Sequence, residues 1–265
     1  MAVKEVQELQ MHPLETMMAP EGKNYTSSDE TIASISPQGE LFAFKEGSCL
    51  ISFTAGEEEK TLPLLVSDEV PTELAKKAIA IALEEWDGEK KLKKSNKYTK
   101  WYCKRECEFG WCGGFIGWAL DEAGIPLSRW EKAEPVGEEE TFGIAEAGVG
   151  KILTGYTRME RLTRIPRPGY LTIYGVRKSG NKTVHVGFIT DVTHVEGDKY
   201  LVSTVEGNIG SRIKLYQYYY DASQEARDNE ENIFPIEEHL QTQENVNYTY
   251  AVDTWYVNIL GQTYQ

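Results

Sequence analysis

The chain has 265 residues, 40% of them hydrophobic and 26% charged, the composition of a folded protein of about two domains. Its formal charge of −14 excludes a phosphate-tracking nucleic-acid binder, which would carry a basic face, and its four cysteines are too few for a disulfide scaffold. No apolar run approaches the ~18 residues needed to cross a bilayer, so no membrane span is expected.

In chain order, residues 1–68 carry short apolar runs split by turn residues. The runs are Leu41-Phe42-Ala43-Phe44, Cys49-Leu50-Ile51-Ser52-Phe53 and Leu62-Pro63-Leu64-Leu65-Val66, with Ser36-Pro37-Gln38-Gly39 and Lys45-Glu46-Gly47-Ser48 between them. Closely spaced strands with turn signals predict a small all-β sandwich, with Cys49 as a core residue of one strand. Ser67 to Pro71 reads as a boundary, and 71–265 as a second domain. There Thr72 can cap a helix whose apolar face is Leu74, Ala78, Ile81, Ala82 and Trp86. Lys90 to Lys97 reads as a basic linker, in the solvated-loop sense rather than as a binding patch.

A second helix is predicted from Cys112 to Ala123, with Phe115, Ile116, Ala119, Leu120 and Ala123 as its stripe and Gly124 as its left-handed stop. A third is placed over 142–156. After Pro166-Arg167-Pro168-Gly169 the pattern switches to period two: strands are predicted over 170–176, 184–190, 201–206, 213–219 and 248–259, with turns at Ser179-Gly180-Asn181 and Glu196-Gly197-Asp198. Residues 221–247, acidic and Gln-rich, read as a surface excursion. Helices first and antiparallel strands after define an α+β domain.

The residues able to do chemistry converge on one pattern. Cys112 falls at the start of a helix, where unpaired N–H groups and the helix dipole favour a thiolate and could hold an oxyanion. Gly113 and Gly114 form helices poorly, and their missing side chains would let a substrate backbone reach the sulfur. The competing reading of Cys112 is a small core residue packing the helix on the sheet. His185, in a strand of apolar residues, is by itself as well read as a satisfied core histidine. Glu206 and Asn208 follow the next strand, where an acid and an Asn beside glycine are ordinary turn residues. On an antiparallel hairpin, however, Glu206 can reach the His185 imidazole and fix its tautomer. Nucleophile, base and orienting acid are then together. Tyr98 and Trp101 either line the cleft or pack beside the helix; His194, near a hairpin turn, is a poorer base. Cys103 and Cys107 lack the second closely spaced pair of a zinc framework; two free thiols are expected, with a bridge between them as the alternative.

Taken in order, Asn96-Lys97-Tyr98-Thr99-Lys100-Trp101-Tyr102, Trp111-Cys112-Gly113-Gly114-Phe115, Pro166-Arg167-Pro168-Gly169-Tyr170-Leu171, His185-Val186-Gly187 and Glu206-Gly207-Asn208 resemble the CHAP family (cysteine, histidine-dependent amidohydrolase/peptidase) over about residues 71–220. The resemblance implies a papain-like α+β domain that cuts peptidoglycan, either at the amide joining muramic acid to the stem peptide or within the peptides, without metal or cofactor. It implies Cys112 as nucleophile, His185 as general base, Glu206 as its orienting group and Asn208 as support for the imidazole or substrate, with Tyr98, Trp111 and Gly113 at the substrate. Two positions depart from the family: Tyr170 stands where Asp is usual after Pro-Gly, and Gly113 where Ala is usual after the cysteine.

Tyr25-Thr26-Ser27-Ser28-Asp29, Ile32-Ala33-Ser34-Ile35-Ser36, Gly39-Glu40-Leu41-Phe42-Ala43 and Glu46-Gly47-Ser48-Cys49-Leu50-Ile51 resemble group 2 bacterial immunoglobulin-like domains over about residues 6–66, which implies a spacer or adhesion element. The amino terminus, Met1 to Glu5, lacks a basic start followed by an apolar core, so it reads as intracellular or as exported with its signal removed. The resemblance implies a secreted or cell-surface protein. The competing functional reading is a non-catalytic surface or adhesion protein that binds cell-wall fragments. Oligomeric state is not readable from the sequence.

Overall fold

Alternating apolar residues build the first unit. In the computed structural model, which describes residues 9–67, 71–87, 90–132, 143–175, 185–229, 232–234, 244–245, 254–257 and 259, the chain divides into Met1–Thr72 and Glu73–Gln265. The first unit holds β1 (Leu9–Met11), β2 (Thr16–Met18), β3 (Lys23–Ser27), β4 (Ala33–Ile35), β5 (Glu40–Ala43), β6 (Gly47–Ala55) and β7 (Glu58–Val66). They form one sheet in the order β1-β7-β6-β3 and another in the order β2-β5-β4. Leu9 and Met11, Cys49 and Ile51, and Leu64 and Val66 turn inward from the first sheet to meet Ala33, Leu41 and Ala43 of the second. That period-two alternation makes the two sheets share one core.

The second unit is mixed α+β. It begins with α1 (Glu73–Glu84), α2 (Lys97–Cys103) and α3 (Cys112–Ala123), followed by β8 (Leu127–Ser128), a 3₁₀ turn (Trp130–Lys132), β9 (Gly143–Ile144) and α4 (Val149–Arg158). Then come β10 (Leu162–Thr163), β11 (Leu171–Tyr174), β12 (His185–Glu196), β13 (Lys199–Ile209), β14 (Arg212–Asp221), α5 (Gln224–Asn229), β15 (Ile233–Phe234), β16 (Glu244–Asn245) and β17 (Trp255–Val257). The sheet runs β10-β17-β11-β12-β13-β14-β15, antiparallel throughout, and β16 adds a parallel pairing to β14. The short β8 and β9 pair in parallel apart from it.

The sheet has two different faces. Leu171, Ile173, Val186, Phe188, Val205, Ile213 and Val257 share a core with Phe115, Ile116, Ala119 and Leu120 of α3. The residues between them in the strands, Tyr174, Ile189, Val202, Tyr216, Tyr218, Tyr220 and Tyr256, form a second cluster rich in phenols. The alternation of each strand thus sends aliphatic side chains under α3 and tyrosines to the other side.

Three expectations change. The buried face of α1 is Ala75, Ala78, Ile79 and Ala82, while Leu74 and Trp86 are 38% and 46% exposed. Three alanines and Ile79, at i, i+3, i+4 and i+7, form the seam, and Leu74 and Trp86 flank it. Lys77 then donates to the Ala123 carbonyl at 3.0 Å, capping α3 beside the left-handed Gly124. Second, α2 occupies ground read partly as linker. Asn96 accepts from the Tyr98 and Thr99 amides while the Thr99 hydroxyl accepts from the Asn96 amide, a reciprocal cap that starts a short helix. Third, the helix placed over 142–156 runs Val149–Arg158. Glu196-Gly197-Asp198 does turn between β12 and β13, with Gly197 at φ 52°. The Ser179-Gly180-Asn181 turn, the first part of the 248–259 strand and residues 230–231, 235–243 and 246–247 of the 221–247 excursion lie outside the described residues.

Gly207 shows how closely α3 rests on the sheet. A Cβ there would stand 2.7 Å from the Phe115 ring, which is fully buried. Gly207→Ala is therefore expected to lower stability by about 1–3 kcal/mol through overpacking, measured as a fall in the urea midpoint with unchanged slope. An unchanged midpoint would mean that the helix can lift away freely.

Candidate active site

Cys112 is the first residue of α3, and no side chain caps that end of the helix. The dipole of a twelve-residue helix and the first-turn amides of Cys112, Gly113 and Gly114 therefore bear on the region of the sulfur. Cys112 carries a free thiol and is 7% exposed. His185 is the first residue of β12 and 6% exposed. Its alternation places it with Gly187 and Ile189 on the tyrosine side, and at the end of the strand its imidazole comes near enough to Cys112 for the two side chains to act on each other electrostatically.

The other ring nitrogen faces Glu206. His185 Nε2 and Glu206 Oε2 are 2.9 Å apart, but the N–H is poorly aimed at the oxygen, so the contact is chiefly one of opposite charges. Nδ1 is the ring nitrogen not engaged with Glu206. Glu206 is fully buried, two residues beyond Thr204 on β13, opposite Gly187 in the strand register. Gly187 is required there: a Cβ would lie 2.6 Å from Glu206 Cγ. The other carboxylate oxygen, Oε1, accepts from Tyr174 Oη at 2.6 Å and from Thr204 Oγ1 at 2.7 Å. A carboxylate buried away from bulk water needs such donors from the protein.

The charge balance at His185 follows. Burial, the largest single influence, opposes the imidazolium. The contacts with Cys112 and Glu206, and the charges of those two groups, together outweigh it and push His185 up to about 10. The imidazole is accordingly held protonated at neutral pH, in the form that can give a proton to a leaving group.

The remaining residues read from the sequence fall in several places. Asn208, at φ 70° in a bulge after Gly207, lies against Gly110: its Nδ2 would be 3.5 Å from a Cβ at that glycine. It stands beside the segment leading into Cys112. Tyr98 and Trp111 are core residues, 0% and 1% exposed, stacked with ring centroids 5.1 Å apart. The Tyr98 hydroxyl donates to Glu85 at 2.6 Å, and burial with that hydrogen bond pushes its phenol up. Neither ring therefore forms a cleft wall; both brace α3. Trp101 covers Gly117 on the outer side of α3 and donates to Asp121 at 2.6 Å.

Gly113 serves helix packing, not substrate approach. Its missing side chain faces the chain's own carbonyls, with Glu146 O and Ala147 O at 2.4 and 2.7 Å from where a Cβ would sit. Beyond that contact the Glu146 carboxylate is 2% exposed, accepts from Tyr102 Oη at 2.9 Å and lies 3.7 Å from Arg129. Cys103 and Cys107 form a disulfide, their Cα atoms 6.5 Å apart, so the expected free thiols are corrected and neither sulfur is available as a thiolate ligand. His194 lies exposed at the far end of β12, its Nε2 2.7 Å from the Gly197 carbonyl. Among the described residues, no group of three or more His, Cys, Asp or Glu side chains is gathered to hold a metal ion, and no helix is long and apolar enough to cross a membrane.

Sequence reasoning did not find Tyr174 and Thr204. Thr204 was findable, because on a strand it shares a face with Glu206 two residues on. Tyr174 was not, because its alignment with His185 depends on a strand register that residues 175–184 leave open. No protein-family model matches the chain, and no curated protein sequence matches it significantly.

The raised His185 proton affinity has a consequence for stability. An unfolded histidine releases its proton near 6.5 and the folded one near 10, so the folded state binds the proton more tightly. The resulting stabilisation is complete below about pH 6.5 and is lost as the pH rises towards about 10. Unfolding free energy should fall across that window in the parent, and the fall should be much smaller in His185→Gln. Identical slopes in the two proteins would contradict this account.

Proposed function

We propose that residues 73–265 form a CHAP-type cysteine amidohydrolase/peptidase that cleaves an amide bond of peptidoglycan, as an N-acetylmuramoyl-L-alanine amidase or as a stem or cross-bridge endopeptidase. The observation that carries this reading is the meeting of three side chains from separate elements: the Cys112 thiol at a helix start, the His185 imidazole, and the buried Glu206 carboxylate on the other side of that ring. Their order along the chain and their motifs are those of the resemblance. Residues 1–72 are proposed as a bacterial immunoglobulin-like spacer. The Cys103–Cys107 disulfide supports a secreted or cell-surface location, where thiols oxidise.

In the proposed reaction, Cys112 Sγ, paired with the His185 imidazolium, attacks the amide carbonyl. Amides at the start of α3 receive the negative charge that develops on the carbonyl oxygen. As the carbon–nitrogen bond breaks, His185 Nδ1 gives its proton to the departing amine, leaving a thioester on Cys112. The now neutral imidazole takes a proton from water, whose oxygen attacks the thioester; the carbon–sulfur bond breaks, releasing the carboxylic acid and restoring the thiolate beside the imidazolium. Glu206 keeps Nε2 oriented throughout and stabilises the charged ring. No cofactor is invoked.

A second reading, a non-catalytic domain that binds wall fragments, is favoured by one observation: the sulfur and the imidazole are only 7% and 6% exposed. Purified peptidoglycan separates the two. The parent should clear it. Cys112→Ala should lose at least about a thousandfold in rate with its circular dichroism unchanged, and His185→Ala about a hundredfold or more. A Cys112→Ala variant that clears walls as fast as the parent would refute the assignment. Binding without turnover by the parent would favour the second reading.

A further inference from the structure

Glu206 is held from behind by groups that the proposed reaction does not use. Tyr174, the last residue of β11, is opposite His185 in the strand register, and the two rings stack with centroids 6.1 Å apart and planes 15° apart. The same phenol reaches past the imidazole to donate to Glu206 Oε1 at 2.6 Å. Thr204 donates to that same oxygen at 2.7 Å, which leaves Oε2 alone on the His185 side. Tyr174 is itself braced: the Tyr218 ring meets it edge-on at 6.0 Å, and the Tyr218 hydroxyl lies 3.3 Å from Thr172 Oγ1 and 3.4 Å from Tyr256 Oη. Tyr174, Thr204, Glu206, Tyr218 and Tyr256 are all buried.

We propose that Tyr174 is a positioning residue for the catalytic dyad: its hydroxyl fixes Glu206 Oε1 so that Oε2 stays beside His185 Nε2. The inference rests on the hydrolase reading for its role in turnover, but not for its effect on the thiol–imidazole pair. A donor to a carboxylate favours its charged form, and a buried carboxylate that lost a donor would protonate or turn away. Either outcome removes the charge that supports the imidazolium. Burial and the neighbouring Glu206 charge push the Tyr174 phenol well above its ordinary value, so it acts as a fixed donor and not as a proton shuttle. The charged and titratable groups facing this assembly are Cys112 from α3, His185 from β12, Lys214 across the β13–β14 pairing from Glu206, Tyr218 from β14, Tyr256 from β17, and Arg164, whose charge acts on Tyr256. None of these groups is a carboxylate, so among the described residues the orientation of Glu206 governs the negative charge beside the ring.

The test uses the full chain with Tyr174→Phe, and Thr204→Val as the second variant that removes the other donor without touching the ring stack. Two readouts are taken across pH: the rate of iodoacetamide alkylation at Cys112, followed by peptide mapping, and the rate of peptidoglycan hydrolysis. The thiolate–imidazolium pair should form at higher pH in Tyr174→Phe, so its alkylation midpoint should rise by about one pH unit relative to the parent. The acid limb of hydrolysis should move the same way, with kcat lower by about tenfold and KM within about twofold. Thr204→Val should shift both in the same direction by less, and it decides the matter if Tyr174→Phe does not fold. An alkylation midpoint and a pH–rate profile that coincide with the parent's, even in a less stable variant, would reduce Tyr174 to packing and overturn the proposal. Should the parent show no hydrolysis, the function reading fails alone, because the alkylation midpoint still tests Tyr174.

Discussion

One buried contact organises the second unit: the Glu206 carboxylate against the His185 imidazole, 2.9 Å apart, with Glu206 fully buried and His185 nearly so. A lone carboxylate in that position would be costly by several kcal/mol, and a lone imidazole would stay neutral. Together, with the Tyr174 and Thr204 hydroxyls on the far oxygen, they are stable as a charged pair. The fold answers to this requirement at several positions. Gly187 makes room for the carboxylate, and Gly207, the next residue on β13, lets α3 press against the sheet so that its first residue, Cys112, arrives at the imidazole. Packing on one face of the sheet and polar satisfaction on the other therefore meet at the sulfur.

The two faces divide the work. Under α3 the contacts are aliphatic and aromatic, and they set the height and angle of the helix whose amides bear on the site. On the other side, phenols fill the space that leucine or valine would fill in an ordinary sheet: Tyr174 donates to Glu206, its ring meets that of Tyr218 edge-on, and the Tyr218 hydroxyl lies 3.4 Å from that of Tyr256. Tyrosine suits this position because it brings both volume and a hydrogen-bond donor. A phenylalanine face would pack as well but would leave Oε1 of Glu206 short of a donor.

Much of this was legible in the amino-acid sequence, and the rest was hidden for identifiable reasons. The start of α3 at Cys112 and its end at Gly124 followed from apolar spacing and a glycine stop, and both features are found there. The strand beginning at His185 and the turn at Gly197 followed from period two and turn chemistry. The face of α1 was read in part: Ala78 and Ala82 lie in the seam, but Ala75 and Ile79, not Leu74 and Trp86, complete it. The cap that opens α2 was present as Asn96 and Thr99 but was masked by the surrounding lysines. Gly113 resembled a gap for substrate, yet the carbonyls that fill it come from residues 146–147, a neighbour that no reading along the chain reveals. The partnership of Cys103 with Cys107 was one of two open states, decided by their closeness after a left-handed turn at Lys104. Registers, long-range neighbours and redox state are set by tertiary contact, and that is where the sequence reading ran out.

The central claim is that the Cys112 sulfur acts as a nucleophile towards a muropeptide amide. It is tested most directly with a muropeptide in which the scissile amide is replaced by a vinyl sulfone, incubated with the intact protein and followed by mass spectrometry and peptide mapping. The account predicts one adduct per chain, on Cys112, formed much more slowly in His185→Gln. No adduct, or one carried by Cys49 instead, would contradict it.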